Sequence, residues 1–371
     1  MRIEDAKLVN LSRRSVKLRR IALAIIVALI IMQLAGCGDK EPRRYSTSFL
    51  GAFDTAITLI GYSDSQRDFD KYAELAEDRF LELHQIFDRY NAYEGVNNIY
   101  TLNHSGSERP VKVSADLIDM LEQSVIWQKE SAGAVNIALG SVLEIWHDYR
   151  AEALADPSSA RIPDREVLEA AAEHTSIDDL IIDKDAGTVY LADPDLKLDL
   201  GAVAKGYATE IVTRELREAG WDSFIISSGG NVRTTAAPPV GERKTWNIGI
   251  QDPEAALEGL DDELLFTLQL IEKSVVTSGD YQRYYLYEGR RYHHIVDPST
   301  LEPASTFASV TVVTEDSGLA DFLSTTLFIM PYEEGLAYIQ LLGDVEAAWV
   351  FTDGTIEMTD GLRDMIIDRE G

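Results

Sequence analysis

The sequence predicts an α+β fold: one large mixed domain, residues 49–371, behind a short N-terminal leader and tether. Three observations lead there. Phe69, Tyr72, Ala76, Phe80, Leu83 and Phe87 recur every three or four residues, the apolar stripe of an amphipathic helix. Other segments, such as Thr188–Leu191 and Phe224–Ser227, are short and β-rich, the pattern of strands. The two kinds are interspersed without the regular alternation of a doubly wound sheet. The 371 residues are ample for a buried core, and a single cysteine leaves no disulfide to support it.

From the N-terminus, Arg2, Lys7, Arg13, Arg14, Lys17, Arg19 and Arg20 outweigh Glu4 and Asp5. An uncharged run, Ile21 to Leu34, follows. It is short of the roughly 20 residues that span a membrane and suits the apolar core of an export signal. Its end, Leu34-Ala35-Gly36-Cys37, resembles the lipobox of bacterial lipoproteins. On this reading residues 1–36 are a lipoprotein signal peptide, Cys37 is the lipidated first residue of the mature chain, and residues 37–48 are a polar tether. Two or more acyl chains, palmitate among them, give stable anchoring where one is marginal. The protein is then expected at the extracytoplasmic face of the bacterial cytoplasmic membrane. The leader's charges sum to +5, so the whole-chain value of −29 becomes −34 without it. No basic stripe remains to neutralise phosphates, which excludes nucleic acid as a partner.

The domain opens on a strand, Ala56–Ile60, and the helix of the Phe69–Phe87 stripe. A second helix starts at Ser114, a suitable N-cap. Residues 151–164, rich in Ala, Pro and Ser, read as a surface loop. Strands are expected at Thr188–Leu191 and Leu196–Leu200, then a helix over Gly201–Arg217 and a buried strand at Phe224–Ser227. Trp246–Ile250, Leu264–Leu270 and Ser309–Val313 are further strands, and Leu319–Met330 is a buried helix ended by Pro331.

Four segments carry polar and glycine residues where a plain core would not place them. Leu198 to Ala208 passes from a strand through small residues into a helix with Lys205 near its start, an arrangement suited to an anion. Ser227-Ser228-Gly229-Gly230-Asn231 follows a strand and permits a backbone nest. Val276–Tyr284 and Tyr292–Thr300 gather hydroxyls, Asp280, His293 and His294. The two histidines alternate faces, so at least one is expected at the ordinary surface. Asp321 and Thr325 lie one turn apart on an otherwise apolar helix and offer the hard oxygens that Mg²⁺ takes beside phosphate.

In this order the segments resemble the signature motifs of ApbE-type FAD:protein FMN transferases. The resemblance runs from about Phe49 to Met330 and includes Leu50–Thr55, Phe87–Tyr90, Ala132–Asn136 and Trp146. It implies a Mg²⁺ ion held by Asp321, Thr325 and the backbone carbonyl of Ala202. It implies FAD contacts at Leu50, Ala134, Val135, Asn136, Lys205 and His294. The implied reaction moves the FMN half of FAD to a Thr or Ser hydroxyl of an acceptor protein and releases AMP. His294 is the first candidate for the base and Asp280 the second. Flavin-bearing subunits of membrane redox complexes are the implied acceptors. Two alternatives use the same site: a Mg²⁺-dependent FAD pyrophosphatase, and a flavin-binding lipoprotein without chemistry. Leu301 stands where the family usually has glycine.

The leader reading is checked at Cys37. Cys37→Ala should leave unprocessed precursor and abolish palmitate labelling in cells. Continued labelling of the mutant would overturn the assignment.

Overall fold

The computed structural model describes residues 41–260 and 263–367. The leader and Cys37 lie outside them. The frame is an eight-stranded sheet whose strands follow chain order. They are β1 (Arg43–Ala52), β2 (Thr55–Ser63), β3 (Phe224–Ser228), β4 (Asn231–Thr234), β5 (Ser274–Gly279), β6 (Phe307–Thr314), β7 (Glu346–Phe351) and β8 (Ile356–Met358). Every neighbouring pair is antiparallel. The connection from β2 to β3 carries helices α1 (Gln66–Phe87), α2 (Ala115–Glu130), α3 (Gly140–Ala155) and α4 (Ala204–Glu218), and α5 (Ser317–Ile329) joins β6 to β7.

Period-two burial explains why both faces of this sheet are covered. Phe224, Ile226, Val276, Val312 and Trp349 enter the main core with α1, α4 and α5. Their neighbours Ile225, Val275, Val313 and Ala348 enter a second core with Trp246, Ile248 and Leu268. The latter residues belong to a three-stranded sheet of Trp246–Gln251, Leu264–Leu270 and Ile366–Ile367. A third cluster joins Trp146 on α3 to Tyr285 and Tyr292 on the hairpin Tyr284–Tyr287/Arg290–His293. Side-chain caps start the long helices. Ser65 accepts from Asp68 N, Ser114 from Leu117 N, and Asp316 from Leu319 N.

The expected α+β class and most of its elements are present. Three local readings change. The tether ends earlier than residue 48, because Arg43–Phe49 already pairs in register with Ile57–Ser63. Residues 151–155 complete the last turns of α3 rather than opening a loop, since alanine continues a helix readily. Leu196–Leu200 forms no strand; Lys197 makes only an isolated bridge to Leu139. The run is apolar because Leu196, Leu198 and Leu200 enter the main core as an extended segment.

Gly206 places α4 against α5. A methyl there would lie 2.1 Å from the Ser317 carbonyl oxygen and 2.5 Å from Asp321 Cβ. Both are fixed by the facing helix, so neither can move aside cheaply. Gly206→Ala should therefore cost about 1–3 kcal/mol or more of stability, read by urea unfolding. A loss below about 0.5 kcal/mol, the range of an indifferent surface change, would contradict this packing.

Candidate active site

A cavity of about 410 Å³ opens between the sheet, α3, α4, α5 and the hairpin segment, within the usual range for a small-molecule site. Asp321 lines it and is 3% exposed. The Gly206 N–H donates to Asp321 Oδ2 at 2.9 Å, and Lys205 Nζ stands 3.6 Å from Oδ1. Burial holds the Asp321 carboxyl above the usual carboxylate range, opposed by the Lys205 charge and the Gly206 bond. A regular helix would direct the Gly206 N–H to the Ala202 carbonyl four residues back. Its donation to Asp321 leaves that carbonyl without its helical donor, and Ala202 lines the same cavity. Thr325, one turn on, also lines the cavity, with its Oγ1 3.4 Å from Ser278 Oγ at the end of β5. The donor set is thus carboxylate, hydroxyl and peptide oxygen around one under-compensated negative charge. That chemistry fits a hard divalent cation.

The two histidines do different work, and neither is ordinary surface. His293 is buried; its Nε2 bonds the Ala304 carbonyl at 2.6 Å and its Nδ1 accepts from Ile295 N at 3.2 Å. Burial pushes it down to about 4, so it is a neutral structural clasp. His294 lines the cavity, and its Nδ1 has no partner among the described residues. Burial first, then the nearby charges of Arg283, Arg150 and Lys205 among others, hold it well below the ordinary histidine value. It is a neutral imidazole at neutral pH, able to accept a proton.

Two of the expected site residues lie elsewhere. Asp280 is not part of the cavity wall. It is 8% exposed and ion-paired with Arg291, which ties the end of β5 to the hairpin that leads into His294. Its Oδ2 is engaged as a brace and its Oδ1 has no partner among the described residues; its place outside the cavity wall removes it as a candidate base. Leu50 is 73% exposed on β1 and also lies outside the cavity wall. Ala134, Val135, Asn136, Ala202, Lys205, His294, Asp321 and Thr325 all line the cavity. Asn136 does so through a fixed turn: its amide donates to Thr175 O at 2.8 Å and its Oδ1 accepts from Ala138 N at 2.9 Å. Leu301 takes a positive φ of 61°, the conformation a glycine would supply. Its burial beside Trp146, which donates to the Leu301 carbonyl at 2.9 Å, holds it there.

Sequence reasoning placed Tyr90 and Arg283 in its segments without giving either a role, and passed over Arg150. Tyr90 is a cavity-lining ring, 54% exposed, that offers a stacking face. Arg150 and Arg283 line the same cavity, and no carboxylate within salt-bridge distance pairs with either among the described residues. By contrast, Arg89 and Arg233 are paired with Asp199 and Glu210. Burial and Arg283 hold Arg150 below its usual value, so an anionic ligand would relieve it. Pairing, which no motif spells out, is what distinguishes these arginines from the rest.

The fold and site together define an α+β protein with a cavity lined by a buried carboxylate and by cationic side chains. Residues 53–349 match the ApbE family, and the chain belongs to it. The FAD:protein FMN transferase of Treponema pallidum (strain Nichols) is 30% identical over 360 residues, 92% of this chain and 94% of that protein. A Klebsiella pneumoniae (strain 342) protein of the same name is 31% identical over 275 residues, covering 72% and 80%. The crystal structure of the ApbE protein from Thermotoga maritima superposes with a TM-score of 0.74 at 25% identity, over 88% of this chain and 100% of that one.

Proposed function

We propose that this chain is an FAD:protein FMN transferase that uses Mg²⁺ and a Thr or Ser hydroxyl of an acceptor protein. The observation that carries the reading is the buried Asp321 carboxylate, held beside Lys205 and Thr325, in one cavity with the neutral imidazole of His294. Asp321, Thr325 and the Ala202 carbonyl would hold the ion. When bound, Mg²⁺ neutralises the diphosphate of FAD and stabilises the leaving phosphate. Lys205 adds positive charge on the same side. Ala134 to Asn136 shape the wall against which the dinucleotide rests, and Tyr90 gives its ring system a surface to stack on. His294 takes the proton of the acceptor hydroxyl. The hydroxyl oxygen bonds to the flavin-side phosphorus, the bond from that phosphorus to the bridging oxygen breaks, and AMP leaves with that oxygen.

The lipobox-like leader supports anchoring through Cys37 at the extracytoplasmic face of the membrane. Anchoring confines the enzyme to one surface with a membrane-bound acceptor, such as a flavin-bearing subunit of a redox complex, and raises their effective concentration. A hydrolase scavenging soluble FAD gains less from such confinement, which favours transfer over the pyrophosphatase reading.

The test is incubation of the protein lacking residues 1–37 with FAD, Mg²⁺ and a Thr-containing acceptor. AMP release should be slow alone and strongly accelerated by the acceptor, which gains the mass of FMN minus water. An acceptor with its target Thr changed to Val should not accelerate release. Equal AMP release with both acceptors, and no mass gain, would contradict transfer and leave hydrolysis.

A further inference from the structure

Asn231 opens β4 directly after Gly229 and Gly230, whose φ values of 54° and 93° turn the chain there. It is 1% exposed and lines the cavity. An asparagine side chain has two amide hydrogens and one carbonyl oxygen to satisfy. Its Nδ2 lies 3.5 Å from the Ser228 carbonyl, and the side chain also bonds the Asp321 carboxylate. Its Oδ1 is shut off from solvent and has no partner among the described residues. A buried, unmatched carbonyl is rare enough in folded proteins to need a reason.

The surroundings narrow what could satisfy it. The same cavity wall carries Asp321, Thr325, Thr277 and Ser278. Thr277 Oγ1 is engaged with Thr311 Oγ1 at 2.9 Å, and Ser278 Oγ with Ser324 Oγ at 2.8 Å. A hydroxyl of a ligand could donate to Oδ1, but it would leave the Asp321 charge as it is. A divalent cation with its bound water satisfies both oxygens together. Its preference for six oxygens is not met by Ala202, Asp321 and Thr325 alone.

Building on the proposed Mg²⁺ site, we infer that Asn231 is a further protein contributor to the cation's shell. Its Oδ1 faces the ion or an ion-bound water, while its amide N–H fixes the orientation of Asp321. A neutral amide suits this place because a second carboxylate would cancel more of the charge needed to neutralise a diphosphate.

The experiment measures Mg²⁺ affinity without FAD, by calorimetric titration of the full chain and of Asn231→Ala and Asn231→Asp. FAD affinity is measured in EDTA by flavin fluorescence. Asn231→Ala should weaken Mg²⁺ binding about 10–100-fold while FAD affinity in EDTA stays within twofold. Asn231→Asp, which keeps an oxygen and adds charge, should bind Mg²⁺ more tightly than wild type and stands in if the alanine variant fails to fold. Unchanged Mg²⁺ affinity in Asn231→Ala, or no tightening in Asn231→Asp, overturns the inference. So does a loss of FAD affinity in EDTA with Mg²⁺ affinity intact. Failure of the wild type to bind Mg²⁺ at all would instead overturn the proposed metal site on which the inference rests.

Discussion

Asp321 lies where α4 and α5 touch, and its carboxylate is bonded to the Gly206 amide in the first turn of α4. That contact needs the missing side chain at Gly206. It also diverts the Gly206 N–H from the Ala202 carbonyl and brings Lys205 to 3.6 Å. A buried carboxylate is costly unless its charge is matched, and one ammonium beside it together with one amide is a partial match. The packing of two helices, the geometry of a strand-to-helix turn and an unspent negative charge are therefore one feature. The eight-stranded sheet contributes the floor, with Thr277, Ser278 and Asn231 on strands β4 and β5 lining the same cavity.

Charge is distributed to suit this centre. The chain holds 63 acidic and 34 Lys/Arg residues, so most cations can find an anion. Arg79 engages Asp116, Glu82 and Glu215, and Arg233 engages Glu210. Among the described residues Arg150 and Arg283 are left without such a partner, and with Lys205 their charges act on His294. An acid-rich protein that leaves three cations facing one cavity has made room for an anion. Burial first, and these charges after it, hold His294 below the ordinary histidine value.

Much of this could be read from the residues, and the failures have physical causes. The Asp321/Thr325 pair was visible because a carboxylate and a hydroxyl one turn apart contradict an apolar helix. Lys205 was visible because small residues preceded it at a helix start. Asp280 looked equivalent to a base in sequence, since an unpaired carboxylate and one paired with Arg291 are spelled alike. Leu196–Leu200 looked like a strand because burial and strand pairing leave the same apolar run. Leu301 shows the converse: a position suited to glycine is held at positive φ by the packing around it, which no local rule predicts. The arginines at the cavity were hidden because their meaning lies in the partners they lack.

Thermal unfolding at pH 7 tests whether Asp321 is a buried charge held for a cation. Its folded-state pKa is raised, so the ion-free protein loses stability at this group as pH rises through that value. Asp321→Asn removes the charge. In EDTA it should melt above wild type, and Mg²⁺ should raise the melting temperature of wild type but not of the variant. A wild type indifferent to Mg²⁺, or a variant that gains as much from it, would contradict the account.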